Sequence, residues 1–158
     1  MRAHSRLVAA AMLCIGFVDC ANMAHGECNP PEPMELTTSR FEVQGATVYD
    51  KSTDLTWMRC SYGQQWIEGA GCSGDVTLLD WDSAMAMHAS EDPAWRLPQR
   101  DELQSIVAHN CRKPAINDAV FPATPSVQYW TSTPSSPAYA WVVFFRSGIF
   151  FRRYLCYR

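Results

Sequence analysis

Arg146, Arg152, Arg153 and Tyr154 fall within nine residues near the end of the chain, with Phe150 and Phe151 between them. Guanidinium groups pair with sulfate or carboxylate and aromatic rings stack on sugars, so this pattern fits a surface that holds an anionic glycan. The same arginines would equally serve a strand edge that must discourage pairing with other strands. Cysteines form the second reactive set. Beyond residue 26 there are Cys28, Cys60, Cys72, Cys111 and Cys156. In an oxidising compartment these read as disulfides, and the odd count leaves one thiol over. Cys60 and Cys72 flank the eleven-residue, glycine-rich SYGQQWIEGAG, a segment poor in packing residues that a bridge would pin. Cys111 is expected to pair with Cys156, and Cys28 with Cys111 is the alternative.

Other chemistry is thinly represented. There is no GxSxG elbow, no HExxH, no phosphate-binding glycine loop and no dinucleotide fingerprint, so no catalytic residue is assigned and no cofactor is implied. Zinc is disfavoured because CxxC is absent and His88 and His109 stand at no ligand spacing from a cysteine pair. Asp75, Asp80 and Asp82 lack the full oxygen array of a calcium loop and read as turn and cap acids. His88 reads as a half-buried imidazole on a helix face, and His109 as a partner of a helix C-terminus.

The elements that must position these residues come from one small body. The chain has 158 residues, 47% of them hydrophobic and 18% charged, which fits a single compact domain and excludes a collagen or a disordered tail. A basic start with Arg2 and Arg6 leads into LVAAAMLCIGFV at 7–18, an apolar run of signal-peptide length that is too short to span a bilayer. Residues 1–26 are expected to be a leader cleaved after Gly26, with an uncleaved anchor as the alternative. Asp19 before Cys20 argues against a lipid-modified cysteine. The protein is therefore expected to be exported, whether periplasmic, surface-bound or released, with no transmembrane span once the leader is gone.

Of 13 basic and 16 acidic side chains, the leader holds two arginines and Asp19, which leaves 11 and 15, a net of −4. From Ala119 onward there are four arginines and no acid. The acidic total and the exported state disfavour a nucleic-acid partner.

Residues 27–40 carry three prolines and no apolar period, so they read as an extended lead-in, with the folded domain at 41–158. TVYD at 47–50 and LTWM at 55–58, separated by KSTD, predict a hairpin. Trp81, Ala84, Met85 and His88 share one face of a helix of about ten residues capped by Asp80. A second helix is expected after Pro98, with Glu102 in its first turn and Leu103, Ile106 and Val107 as its buried stripe. VQYWTS at 127–132, YAWVVFF at 139–145 and IFFRRY at 149–154 read as strands. A two-residue turn at Ser147 and Gly148 would set Phe144 opposite Phe151 and Trp141 opposite Tyr154.

Six segments occur together: VYDKSTDLTWMRC at 48–60, GQQWIEGAGCSG at 63–74, WRLPQRDELQSIV at 95–107, PAINDAVFPATPS at 114–126, YWTSTP at 129–134 and AWVVFF at 140–145. In this order they resemble the bacterial domain of unknown function at the C-terminus of the Legionella collagen-like adhesin, the Lcl C-terminal domain. The resemblance covers nearly all of 41–158. It implies an α+β fold of the C-type-lectin-like kind, akin to formylglycine-generating enzymes, with twisted, mostly antiparallel sheets and two short helices. Trp95, Arg96, Leu97 and Pro98 would form the family's WRLP element and Glu102 its acidic partner position. Arg96 then reads as a hydrogen-bonded anchor between strand and helix, because a planar guanidinium serves several acceptors at once. Trp130 and Trp141 read as core. Gln99 stands where the family often has Thr, a better cap, and the tail after Gly148 is short.

The function implied is a secreted, non-enzymatic binding or adhesion module for an anionic polysaccharide or an envelope or surface protein. The alternatives are a structural subunit of an envelope assembly and a copper oxidase related to formylglycine-generating enzymes. The oxidase would require Cys156 to have a second thiol beside it. Oligomeric state is not set by these features.

Overall fold

The structure is a computed structural model and describes residues 6–8, 12–13, 27–29, 39–90 and 95–155, with side chains described outside 6–13 and 87–90. In chain order the described strands are β1 (Arg6–Val8), β2 (Met12–Leu13), β3 (Glu27–Cys28), β4 (Phe41–Gln44), β5 (Thr47–Asp50), β6 (Leu55–Met58), β7 (Gln65–Ile67), β8 (Gly71–Ser73), β9 (Trp95–Arg96), β10 (Cys111–Arg112), β11 (Gln128–Ser136), β12 (Tyr139–Phe144) and β13 (Ile149–Tyr154). The helices described over their length are α1 (Trp81–Ser90), before β9, and α2 (Arg100–Ser105), after it. Mostly antiparallel sheets with two short helices make this an α+β fold.

The hairpin expected from TVYD and LTWM is β5 and β6, with Asp50 opposite Leu55 and Val48 opposite Trp57. Val48, Leu55 and Trp57 point inward and are buried, as period-two alternation requires of a half-covered sheet. The KSTD turn is organised by Asp50. Its carboxylate accepts from the Ser52 N–H at 3.0 Å, the Ser52 hydroxyl at 2.7 Å and the Thr53 hydroxyl at 3.0 Å. Arg40 closes over it with Nε at 2.9 Å and Nη2 at 2.7 Å. Two pieces of the apolar N-terminal run also pair with the sheets in the full chain: β1 lies parallel to both β6 and β9, and β2 lies antiparallel to β11.

The C-terminal strands form a meander in the order β13, β12, β11. Its register differs from the expected one. Phe144 faces Ile149, Trp141 faces Arg152 and Tyr139 faces Tyr154, so the turn holds four residues, 145–148. The cause is Phe145, which is 1% exposed. Its N–H donates to Val127 O at 3.0 Å and its carbonyl accepts from the Ala115 N–H at 2.5 Å, which takes it out of the ladder. Gly148 then closes the turn at φ +71°, where an added Cβ would stand 2.6 Å from Val107 Cγ1. A displacement of two residues leaves every side chain on its original face.

Each face of this sheet is covered along part of its length. One face joins Tyr129 and Val143 to Leu103 of α2, along with Ile106, Val107, Phe145 and the β5–β6 hairpin. The other joins Trp130, Ala140 and Val142 to Ala84 of α1 and Leu97. Asp80 caps α1 through the Ser83 N–H at 2.7 Å. The His88 side chain lies outside the described residues. α2 ends at Ser105, so Ile106 and Val107 are buried from the turn that follows it.

Cys60 and Cys72 are bonded, which ties Cys72 of β8, opposite Trp66 of β7, back to the segment that follows β6. Cys111 bonds Cys28, which corrects the expected Cys111–Cys156 pairing. The reason is a short antiparallel ladder: β3 runs beside β10 with Cys28 directly opposite Cys111, and the Asn29 N–H donates to Asn110 O at 2.8 Å. Cys156 lies outside the described residues. The start of the lead-in is thereby tied to the domain.

Candidate functional site

The WRLP element positions the site. Arg96 leaves β9 and forms a two-pronged pair with Glu102, Nη1 to Oε2 at 2.7 Å and Nη2 to Oε1 at 2.6 Å. The Glu102 carboxylate raises the Arg96 guanidinium above its ordinary range, while burial opposes the shift. Glu102 also accepts from the Gln99 N–H at 2.8 Å. Helix α2 therefore starts firmly although Gln99 replaces a hydroxyl cap, and the Arg100 N–H finds its acceptor in Thr133 Oγ1 of β11 at 2.9 Å. That last bond fixes where the Arg100 side chain goes.

Arg100 lies on the meander. Its guanidinium carbon is 4.6 Å from the Trp141 ring centroid and 5.6 Å from that of Phe150. Val143 faces Phe150, Trp141 faces Arg152 and Tyr139 faces Tyr154 across the β12–β13 pair, so all six share one face of the hairpin. Tyr139 and Tyr154 meet edge to face with centroids 5.1 Å apart, and both are exposed. Arg152 is exposed and Trp141 half-buried. Arg152 makes no ion pair among the described residues.

Arg153 belongs to the other face. Its guanidinium donates to Gln128 Oε1 and lies 5.9 Å from the Trp130 centroid. Arg146 is exposed in the 145–148 turn, separated from Tyr154 by the whole length of β13, about 17 Å. Of the four residues expected to bind ligand, the fold brings together Arg152 and Tyr154 and separates Arg146 and Arg153 from them. Trp130 is core at 2% exposed, with its indole N–H donating to Leu79 O at 3.0 Å. Trp141, expected as core, is the half-covered floor of the open face. Trp95 is half-buried and Leu97 and Pro98 are buried behind the Arg96 pair.

Arg100 and Tyr139 were not legible as site residues. Arg100 meets Trp141 across 41 positions of chain, and no local pattern announces that contact. Tyr139 sits in a strand run whose period alone does not say which ring is open.

Elsewhere Arg59 is a structural cation. Arg59 donates to Val120 O and Gly45 O at 2.8 Å each and lies 4.2 Å from the Trp66 centroid. Burial lowers its guanidinium from the ordinary value, opposed by Glu68. Among the described residues no group of three or more His, Cys, Asp or Glu is gathered in a way that would hold a metal ion. No helix among them is long and apolar enough to cross a membrane. Among the described residues, a small space of about 20 Å³ lies between Trp57, Ser61, Tyr129 and their neighbours, with room for a water.

No curated protein and no solved structure matches the chain. A family model, that of the Lcl C-terminal domain, matches residues 46–154, which takes in both halves of the β5–β6 hairpin, the Arg96–Glu102 pair and the whole meander. With over two thirds of its length matched in this way, the chain belongs to the Lcl C-terminal domain family.

Proposed function

We propose that this protein is an exported, non-enzymatic binding module that attaches to an anionic polysaccharide through the open face of its C-terminal hairpin. One observation carries the reading: Arg152, Tyr154, Tyr139 and Trp141 share an exposed face on a hairpin that contains no acidic side chain. Guanidinium groups bind sulfate and carboxylate through charge-assisted hydrogen bonds, and the rings offer apolar faces to sugars. Membership of a family named for an adhesin's terminal domain supports the same class of function. Two disulfides fit export to an oxidising compartment.

The cysteine pairing also weighs against the oxidase alternative. With Cys28–Cys111 and Cys60–Cys72 formed, none of these four cysteines offers the second thiol that such a site would need beside Cys156.

A heparin column run over a salt series tests the proposal. Wild-type protein is expected to be retained well beyond an uncharged matrix, and Arg152→Ala to elute at lower salt. Retention no greater than on the uncharged matrix rules the reading out.

A further inference from the structure

We propose that Arg100 and Arg152 act together as one oxyanion subsite built on the Trp141 ring, with the Tyr139–Tyr154 pair beside it as the platform for the adjoining sugar. The inference rests on the binding reading above and names the part of the ligand that the face takes: a pyranose carrying a sulfate ester or a carboxylate.

One cation lies over the ring and a second is its cross-strand neighbour. Arg100 lies over Trp141 at 4.6 Å, and Arg152 is the cross-strand partner of the same tryptophan, on the same face. Directly opposed residues in an antiparallel pair have Cβ atoms about 5 Å apart, so the exposed Arg152 side chain leaves the strand beside that ring, within a side chain's length of Arg100. Arg152 makes no ion pair among the described residues, and Arg100 makes one long, exposed one. The nearest carboxylate to Arg100 is Asp101 at 3.9 Å, on a side chain that is 91% exposed.

The Arg100 guanidinium is held by stacking and not by hydrogen bonds. Its Nε is buried with no acceptor, and its side chain is 38% exposed. Arg96, Arg59 and Arg40, the structural arginines of this protein, each spend their donors on carboxylates or carbonyls. Arg100 differs from all three. A planar cation pinned on an aromatic face with uncommitted donors at its open edge is pre-oriented for a planar or tetrahedral oxyanion. Little ordering is then left to do when the anion arrives.

Binding to immobilised dextran sulfate, polygalacturonate and neutral dextran tests this on the full chain, with Arg100→Gln, Arg152→Gln, the double variant and Arg146→Gln. Each single variant is expected to weaken binding to the charged polymers roughly 5- to 20-fold, and the double variant little further, because two groups that grip one anion do not add. Arg146→Gln is expected to match wild type, and neutral dextran to bind none of them. Preference between dextran sulfate and polygalacturonate tells sulfate from carboxylate. Arg100→Gln binding like wild type while Arg152→Gln binds weakly overturns the shared subsite and leaves the binding reading standing. Wild type that prefers neither charged polymer to neutral dextran overturns the binding reading itself. Should Arg100→Gln fold poorly, the wild-type chain decides: dextran sulfate must change the tryptophan emission, and Trp141→Phe must abolish that change. Emission that does not respond, or that responds equally in Trp141→Phe, overturns the proposal.

Discussion

Arg152 and Arg153 are consecutive in sequence and stand on opposite faces of the C-terminal sheet, one beside Trp141 and the other over Trp130. The pair therefore separates two roles that the sequence presents as one cluster. Arg153→Ala is expected to cost about 1 kcal/mol of stability, from the lost Gln128 bond and ring contact, with retention on heparin unchanged. Arg152→Ala is expected to leave stability within about 0.5 kcal/mol and to lose retention. Denaturant unfolding and salt elution of both variants check this, and the reverse pattern would place the ligand on the other face.

The Arg96–Glu102 pair joins β9 to α2, and Glu102 also serves the Gln99 N–H. Both side chains are less than one-third exposed. Glu102→Gln keeps the shape and loses the charge, for an expected cost of about 1–3 kcal/mol. Arg96→Lys loses the fork geometry at a similar cost. Urea midpoints at constant slope measure both, and an unchanged midpoint would show the pair to be ornamental.

Asp50 makes stability depend on pH. Burial alone would raise its carboxyl, but hydrogen bonds from Arg40, Ser52 and Thr53 outweigh burial and hold it below the ordinary value of 3.8. A group depressed in the folded state contributes its stability above the unfolded value and loses it as pH falls through the folded one. The contribution is thus full at neutral pH and fades below about pH 4. Asp50→Asn is expected to cost about 2–4 kcal/mol at pH 7 and to flatten the acid limb of the stability curve. Thermal melts from pH 2 to pH 7 give the comparison, and parallel curves for the two proteins would refute it.

The two disulfides close loops of unequal length, with sequence separations of 83 and 12. In the chain-entropy account the long loop is worth about 4–5 kcal/mol and the short one about 3 kcal/mol. Cys28→Ser is expected to lower the melting temperature more than Cys72→Ser. Peptide mapping under non-reducing conditions is expected to recover the Cys28 and Cys111 peptides joined. Recovery of Cys111 with Cys156 would contradict the ladder between β3 and β10.

Local order was largely legible. TVYD and LTWM alternate cleanly around a turn-forming tetrapeptide, and the strands end where the pattern ends. Asp80 and Glu102 marked both helix starts because capping is a contact over three residues. What failed involved partners far along the chain. The turn at 145–148 is four residues long because Phe145 is claimed by Val127 and Ala115, and no reading of the hairpin alone contains those residues. Cys28 meets Cys111 because a two-residue strand in a proline-rich segment pairs with another two-residue strand, each too short to show a period. The site was half legible for the same reason: Arg152 and Tyr154 share a period with their strand, while Arg100 arrives through Thr133 from a helix.

On the proposed reading, the bond from Cys28 to Cys111 would also set how the molecule bears load. When tension is applied between a tether at the lead-in and a ligand held at the hairpin, force crosses that sulfur bridge directly, without travelling through the chain between the two cysteines. At about 3.3–3.6 Å per residue, the 83 positions spanned would otherwise release roughly 280 Å of slack. The bridge would withhold that length from such a pull.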